Sequence, residues 1–146
     1  MTVGLRPMTR DDLTAVMVLE EELFAPDTWT RSMYLEELSM TDTRSYTVAV
    51  DGDEVVGYAG LIAYPEEAHV ATIGVTGSRQ GEGIGGRLLD ALLAEADRRS
   101  PVVLLEVRAT DEATQGLYAR RGFVPIGVRP HYYPLSGEDA LVMKRG

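Results

Sequence analysis

Residues Ile73 to Leu92 read IGVTGSRQGEGIGGRLLDAL, and their reading decides the fold. The stretch opens on the end of an apolar strand carrying Val70, Ala71, Ile73 and Val75. It turns through Thr76, Gly77 and Ser78 into a glycine-rich loop, Gln80-Gly81-Glu82-Gly83-Ile84-Gly85-Gly86, and then enters a helix. Ile84, Leu88, Leu89, Leu92, Leu93 and Ala96 recur there at helical spacing. A glycine loop between strand and helix presents free backbone N–H groups with the positive end of the helix behind them. Such a cradle binds phosphate without cationic side chains, and glycine leaves room for close approach of a ligand. A plain tight turn is the competing reading, because short glycine motifs also arise by chance. A Walker A loop is excluded, since no Gly-Lys-Ser/Thr follows, and the glycine spacing from Gly81 to Gly86 does not fit a dinucleotide fingerprint.

Outward from this stretch the chain alternates strands and helices. Val3 to Met8 reads as a first strand. Thr9 then caps a helix, with an acid three residues on, that carries Leu13, Val16, Met17, Leu23 and Phe24 and ends near Ala25-Pro26. A second helix starts at Trp29-Thr30, with Met33, Tyr34 and Leu38 on its apolar face. Ser45 to Val50 and Val55 to Tyr64 form a hairpin through Asp51-Gly52-Asp53, and Pro65-Glu66-Glu67 turns the chain into the central strand. Beyond the long helix, Val102 to Val107 is a nearly continuous apolar run, which suits a strand buried on both faces. A short helix follows over Ala113 to Arg121, capped by Asp111 and stopped at Gly122. Phe123 to Val128 and Ala140 to Lys144 read as two last strands, joined by a loop containing His131-Tyr132-Tyr133-Pro134. The order β-α-α-β-β-β-α-β-α-β-β predicts an α/β domain over residues 1–146, with a mixed, mostly antiparallel sheet flanked by helices.

Composition narrows the function. The 146 residues are 45% hydrophobic and 25% charged, as in ordinary globular domains. No cysteine is present, which excludes disulfides, zinc–thiolate sites and thiol nucleophiles. With His69 and His131 as the only histidines, a histidine-rich metal site is excluded too, and no metal is expected. No apolar run reaches membrane length and no signal-peptide pattern opens the chain, so a cytoplasmic location is expected. A net charge of −9 argues against nucleic acid and favours a cationic partner such as an amine or basic peptide.

Two residues stand out as chemistry. Glu106 is an acid inside the apolar run VVLLEV, where a buried charge is costly unless paired or functional. It is either a structural acid, solvated or paired with Arg108, or a partly buried carboxylate with a raised pKa able to act as a general base. Tyr118, on the short helix, is either a core aromatic with its hydroxyl bonded or a proton donor.

The core Gln80-x-x-Gly83-x-Gly85 resembles the acetyl-CoA loop of the GCN5-related N-acetyltransferases (the GNAT family), Q/R-x-x-G-x-G/A. Leu117-Tyr118-Ala119-Arg120-Arg121-Gly122-Phe123 resembles the second signature of that family, L-Y-x-x-x-G-F. Within it, the chain is most similar to the ribosomal-protein-alanine N-acetyltransferases. The matches are Leu105-Glu106-Val107-Arg108-Ala109, Trp29-Thr30, Tyr132-Tyr133-Pro134 and the closing Glu138 to Met143. The resemblance implies the GNAT fold and acetyl-CoA as co-substrate, with its pyrophosphate on the amides of Gly81, Glu82, Gly83, Ile84, Gly85 and Gly86. It also implies that Ile73, Gly74 and Val75 meet the pantetheine arm, and that Asp111 stands where the family has a CoA-contacting asparagine. Glu106 is then the general base and Tyr118 the acid that protonates the CoA thiolate. The Val75 N–H is the expected holder of the oxyanion. Trp29, Tyr132 and Tyr133 are expected to wall an acceptor groove between the first two helices and the C-terminal hairpin. The acceptor implied is the basic N-terminus of a ribosomal protein, the alanine of small-subunit protein eighteen. A small-amine acetyltransferase and a non-catalytic acetyl-CoA sensor are the alternatives. Asp111 and Glu82 depart from the family by adding charge near an anionic ligand, and Gly74 replaces its usual alanine.

Overall fold

The computed structural model describes residues 2–146. Strands β1 (Gly4–Pro7), β2 (Arg44–Asp51), β3 (Glu54–Ala63), β4 (Ala68–Val75), β5 (Val103–Arg108), β6 (Val124–Arg129) and β7 (Ala140–Arg145) form one sheet. Their spatial order is β1-β2-β3-β4-β5-β7-β6. Helices α1 (Leu13–Phe24) and α2 (Arg31–Ser39) precede β2, α3 (Ile84–Arg99) joins β4 to β5, and α4 (Glu112–Ala119) joins β5 to β6. The element order matches the one read from the sequence, and so do the local signals that set it. Gly52 turns the β2–β3 hairpin at φ +62°, Thr30 Oγ1 caps α2 by accepting from Met33 N–H at 3.2 Å, and Asp111 Oδ1 caps α4 by accepting from Thr114 N–H at 3.1 Å. Such caps contribute about 0.5–2 kcal/mol each. At the first helix a 3-10 turn, Arg10–Asp12, intervenes before α1, and Asp12 reaches back to the Thr9 N–H at 2.7 Å.

Two apolar layers sandwich the sheet. On one face α3 and Tyr118 of α4 close over β3, β4 and β5 through residues such as Leu88, Leu89, Leu92, Ala59, Val70 and Leu105. On the other face Leu13, Val16 and Leu19 of α1 and Tyr34 of α2 pack on Tyr46, Val48 and Tyr58. In β5 the alternation is strict, with Val103, Leu105 and Val107 buried and Leu104, Glu106 and Arg108 half-buried. The apolar run is therefore covered fully on one side only, which corrects the expectation of burial on both. Glu106 stands on the less covered face, the side of α1 and α2.

The sheet splits in its middle. All neighbouring strands run antiparallel except β4 and β5, which pair in parallel over two rungs, Ala68 with Val103 and His69 with Leu104. Beyond those rungs β4 and β5 part, and a register shift in the β3–β4 pairing leaves Ala71 as an extra residue on β4. Thr76 N–H bonds to the Val56 carbonyl of β3. Because amide groups alternate along a strand, Ile73 and Val75 turn theirs towards the gap. The parting strands open a window from one face of the sheet to the other.

Candidate active site

The glycine loop lies at the mouth of this window, held from three sides. Gln80 Nε2 donates to the Val75 carbonyl at 3.0 Å, folding the loop back on β4. Glu22 of α1 accepts from Thr76 Oγ1 at 2.9 Å and from Gly77 N–H at 2.7 Å. Arg79 bridges Asp51, at 2.9 Å, and Glu82, at 3.0 Å, so the Glu82 charge that the sequence left unmatched has its counter-ion inside the loop. Gly83 precedes α3 at φ +82°, a left-handed conformation that side chains rarely adopt, with no atom within 4 Å of a Cβ built there. The first intrahelical bond beyond it runs from Arg87 N–H to Gly83 C=O. The amides of Ile84, Gly85 and Gly86 are thus the unsatisfied first turn of a sixteen-residue helix. Open space, free N–H donors and a neutralised carboxylate fit a phosphate group. Gly74 is a close-approach glycine on the opposite face, where a Cβ would lie 2.8 Å from Leu23 Cδ1 of α1.

On the α1–α2 face the window opens into a groove of about 590 Å³, whose walls include Trp29 and Met33 on one side and Tyr132 and Tyr133 on the other. Met33, assigned to the apolar face of α2 by its spacing, is exposed here. Trp29 leans on Tyr34 with ring centroids 5.0 Å apart. Tyr132 and Tyr133 meet edge to face at 5.1 Å, and the Arg108 guanidinium lies 4.1 Å from the Tyr133 ring centroid. Arg108 does not pair with Glu106. It donates to Glu138 at 2.6 Å and to Asp27 at 3.3 Å, and Asp27 accepts from the Leu135 N–H at 2.8 Å. The loop after α1 is thereby latched to the loop between β6 and β7, one on each side of the groove.

Glu106 is at the floor, with its side chain 6% exposed. Its Oε1 lies 2.7 Å from His69 Nε2 and accepts from the Tyr132 hydroxyl at 3.4 Å, while Arg129 Nε stands 3.9 Å from Oε2. The His69 contact, aided by the charge of Arg129, outweighs desolvation and holds the Glu106 carboxyl below the usual range. The raised pKa expected from the sequence is corrected by these neighbours.

Tyr118 is on the other face of the sheet, 3% exposed, with its ring against Phe123. Its hydroxyl makes no hydrogen bond among the described residues, contrary to the bonded core tyrosine considered above. Because none of those residues has a side-chain polar atom both enclosed and unpartnered, the hydroxyl reaches solvent. Burial, with Asp111 and Tyr133 nearby, pushes its pKa up, so it stays protonated. A carboxylate on one face and a phenol on the other, with a window between them, can serve proton removal and proton donation on two reactants that enter from opposite sides.

Sequence reasoning did not find Glu20. This α1 carboxylate, 2% exposed, accepts from the hydroxyls of Tyr34 and Tyr58 at 2.7 Å each and from the Trp29 N–H at 2.8 Å. An acid among the apolar positions of α1 was the available signal. His69, which meets Glu106, was also not singled out.

Sheet order, split strands and glycine loop define a class, and the chain belongs to the acetyltransferase (GNAT) family, whose model matches residues 13–123. Among curated relatives it is 41% identical to the N-alpha-acetyltransferase RimI of Mycobacterium tuberculosis, over 98% of this chain and 92% of the relative. It is 31% identical to a putative [ribosomal protein bS18]-alanine N-acetyltransferase of Bacillus subtilis, over 96% and 93%. The crystal structure of the ribosomal-protein-S18-alanine N-acetyltransferase from Escherichia coli superposes with a TM-score of 0.87 at 26% identity, over 99% of this chain and 93% of that one.

Proposed function

We propose that residues 1–146 act as one N-acetyltransferase domain that moves acetyl from acetyl-CoA to the α-amino group of a protein N-terminus. The alanine of ribosomal protein bS18 is the preferred acceptor. The observation that carries the reading is the placement of Glu106 and Tyr118 on opposite faces of one window, with the glycine cradle at its mouth. The names of the relatives above, RimI and bS18-alanine N-acetyltransferases, support the acceptor.

In this reading the amides of Gly81 to Gly86 hold the pyrophosphate, and Ile73, Gly74 and Val75 flank the pantetheine arm in the gap. Asp111 caps α4 beside it. Acetyl-CoA supplies the activated thioester. An α-amine, with a pKa of about 7.7–8.0, must lose a proton before it attacks, and that loss depends on Glu106. The Val75 N–H, turned into the gap, stabilises the oxyanion, and Tyr118 protonates the departing sulfur. Trp29, Tyr132 and Tyr133 seat the N-terminal residues, and an acidic protein attracts a basic ribosomal tail. Among the described residues no helix is long and apolar enough to cross a membrane, and the proposed place of action is the cytoplasm, where ribosomes are.

The acceptor is tested by incubating the protein with acetyl-CoA and short peptides and mapping the acetylated nitrogen by mass spectrometry. An Ala-Arg-led peptide gains acetyl on its α-nitrogen, and a blocked peptide with free lysines does not react. Acetyl found mainly on lysine, or only on small amines, rejects the reading. The cradle makes a separate prediction. Gly83→Val forces a β-carbon into the left-handed position and displaces the first-turn amides. CoA affinity then falls by about tenfold or more, the worth of one or two such contacts. Calorimetry on the folded variant checks it, and unchanged affinity would falsify the cradle assignment.

A further inference from the structure

We propose that His69 is a catalytic residue of this site, whose imidazole, bound through Nε2 to Glu106, takes the proton of the acceptor amine on Nδ1. The inference rests on the acetyltransferase reading above and adds to it the group that meets the amine.

The geometry separates the two members of the pair by access. Both residues line the groove, but the Glu106 side chain is only 6% exposed and its Oε1 is shared between His69 and Tyr132. The His69 side chain is 38% exposed and lines the groove, and its Nδ1 has no hydrogen-bond partner among the described residues. A molecule in the groove therefore touches the imidazole in preference to the carboxylate. The backbone explains why they meet. His69 lies opposite Leu104 on the last parallel rung, and Glu106, two residues further along β5, projects on the same face.

Chemistry assigns the roles. An ionised carboxylate only accepts hydrogen bonds, so Nε2 carries the hydrogen and Nδ1 presents a lone pair. A neutral imidazole with a free ring nitrogen is a common general base. A carboxyl held below its ordinary range is the weaker base and the better counter-ion. The ammonium N–H bond breaks, an N–H bond forms at Nδ1, and the amine lone pair is freed for attack. The imidazolium is stabilised by Glu106 and returns its proton to solvent from its exposed edge. The second amine proton is the one that replaces the proton Tyr118 gives to the CoA sulfur, so one proton is released per turnover.

Other charges share the groove with the ring. Glu37 of α2 and Arg44 of β2 are paired at 3.2 Å. Arg129 of β6 is nearest Glu106, and Tyr64 accepts from Arg44 at 3.1 Å. Glu36 and Glu67 are exposed along the lining. These charges share the groove, so the test compares variants under one buffer series.

His69→Gln, His69→Asn, Glu106→Gln and the double variant His69→Gln/Glu106→Gln are assayed for kcat/KM against pH, after thermal melting confirms folding. The acceptor is whichever amine the wild type acetylates fastest. A wrong acceptor reading then appears as a changed substrate ranking, and a wrong role for His69 as an unchanged rate. Both His69 variants are expected to lose on the order of 10²-fold in kcat/KM at neutral pH, the lower end for removal of a general base, while KM for acetyl-CoA stays constant. The pH profile changes shape, and the residual rate climbs with the free-base fraction of the amine. The double variant is no slower than the slower single one, as for residues acting as a unit. His69 variants within about threefold of wild type across the range, or losses that multiply in the double variant, overturn the proposal.

Discussion

Glu106→Gln lowers kcat/KM by about 10²–10⁴-fold at neutral pH and recovers part of that loss as the pH is raised. The amide keeps the shape of the side chain and can still bond His69 and Tyr132, but it carries no charge and binds no proton. What is lost is the charge that lets the Glu106–His69 pair take a proton from the ammonium, and alkaline buffer replaces that step by titrating the amine itself. Tyr118→Phe separates the other half of the reaction. It removes the proton donor proposed for the thiolate, so its loss, of similar size, is not restored at high pH. CoA affinity survives both changes, since neither side chain is proposed to hold the pyrophosphate. Rate–pH curves for the three proteins, with calorimetric CoA binding alongside, decide the matter. A Glu106→Gln enzyme with wild-type rates throughout leaves Glu106 a structural acid.

The largest loss of stability is expected at Glu20. Glu20→Leu removes the acceptor of three hydrogen bonds at once, from Tyr34, Tyr58 and the Trp29 backbone. Both tyrosines are fully buried, so water cannot replace the lost partner. An unsatisfied buried donor costs about 1–3 kcal/mol, and the variant loses about 4 kcal/mol in all. Glu20→Gln keeps an acceptor oxygen for the hydroxyls and loses less than half of that. Urea unfolding with a common slope measures both, and midpoints within error of wild type for Glu20→Leu would contradict the account. Because Trp29 leans on Tyr34, KM for the acceptor peptide rises in Glu20→Leu while KM for acetyl-CoA does not.

Local chemistry was legible in the chain. Gly52, Thr30, Asp111 and the Gly81–Gly86 run each act within a few residues, and the hairpin, both caps and the start of α3 follow from them. Glu106 and Tyr118 stood out as an acid in an apolar strand and as a member of a spaced motif. The split of the sheet did not show, because whether β4 and β5 pair for two rungs or six depends on a register between segments more than thirty residues apart. The environment of Glu106 was hidden for the same reason. Its partner His69 is 37 positions away, and Arg108, its apparent partner in sequence, is drawn instead to Asp27 and Glu138. Side-chain access along β5 depended on which helices cover each face.

The two-rung junction between β4 and β5 has a consequence for hydrogen exchange. In most sheets the central strands hold the slowest amides, because both neighbours protect them. Here Ile73 and Val75 lie mid-sheet with N–H groups facing the gap, while Ala68, bonded to the Val102 carbonyl at 2.8 Å, sits at the vertex. Deuterium enters this molecule at its middle, and a ligand that spans the gap acts as the missing strand, slowing those two amides while leaving the vertex unchanged.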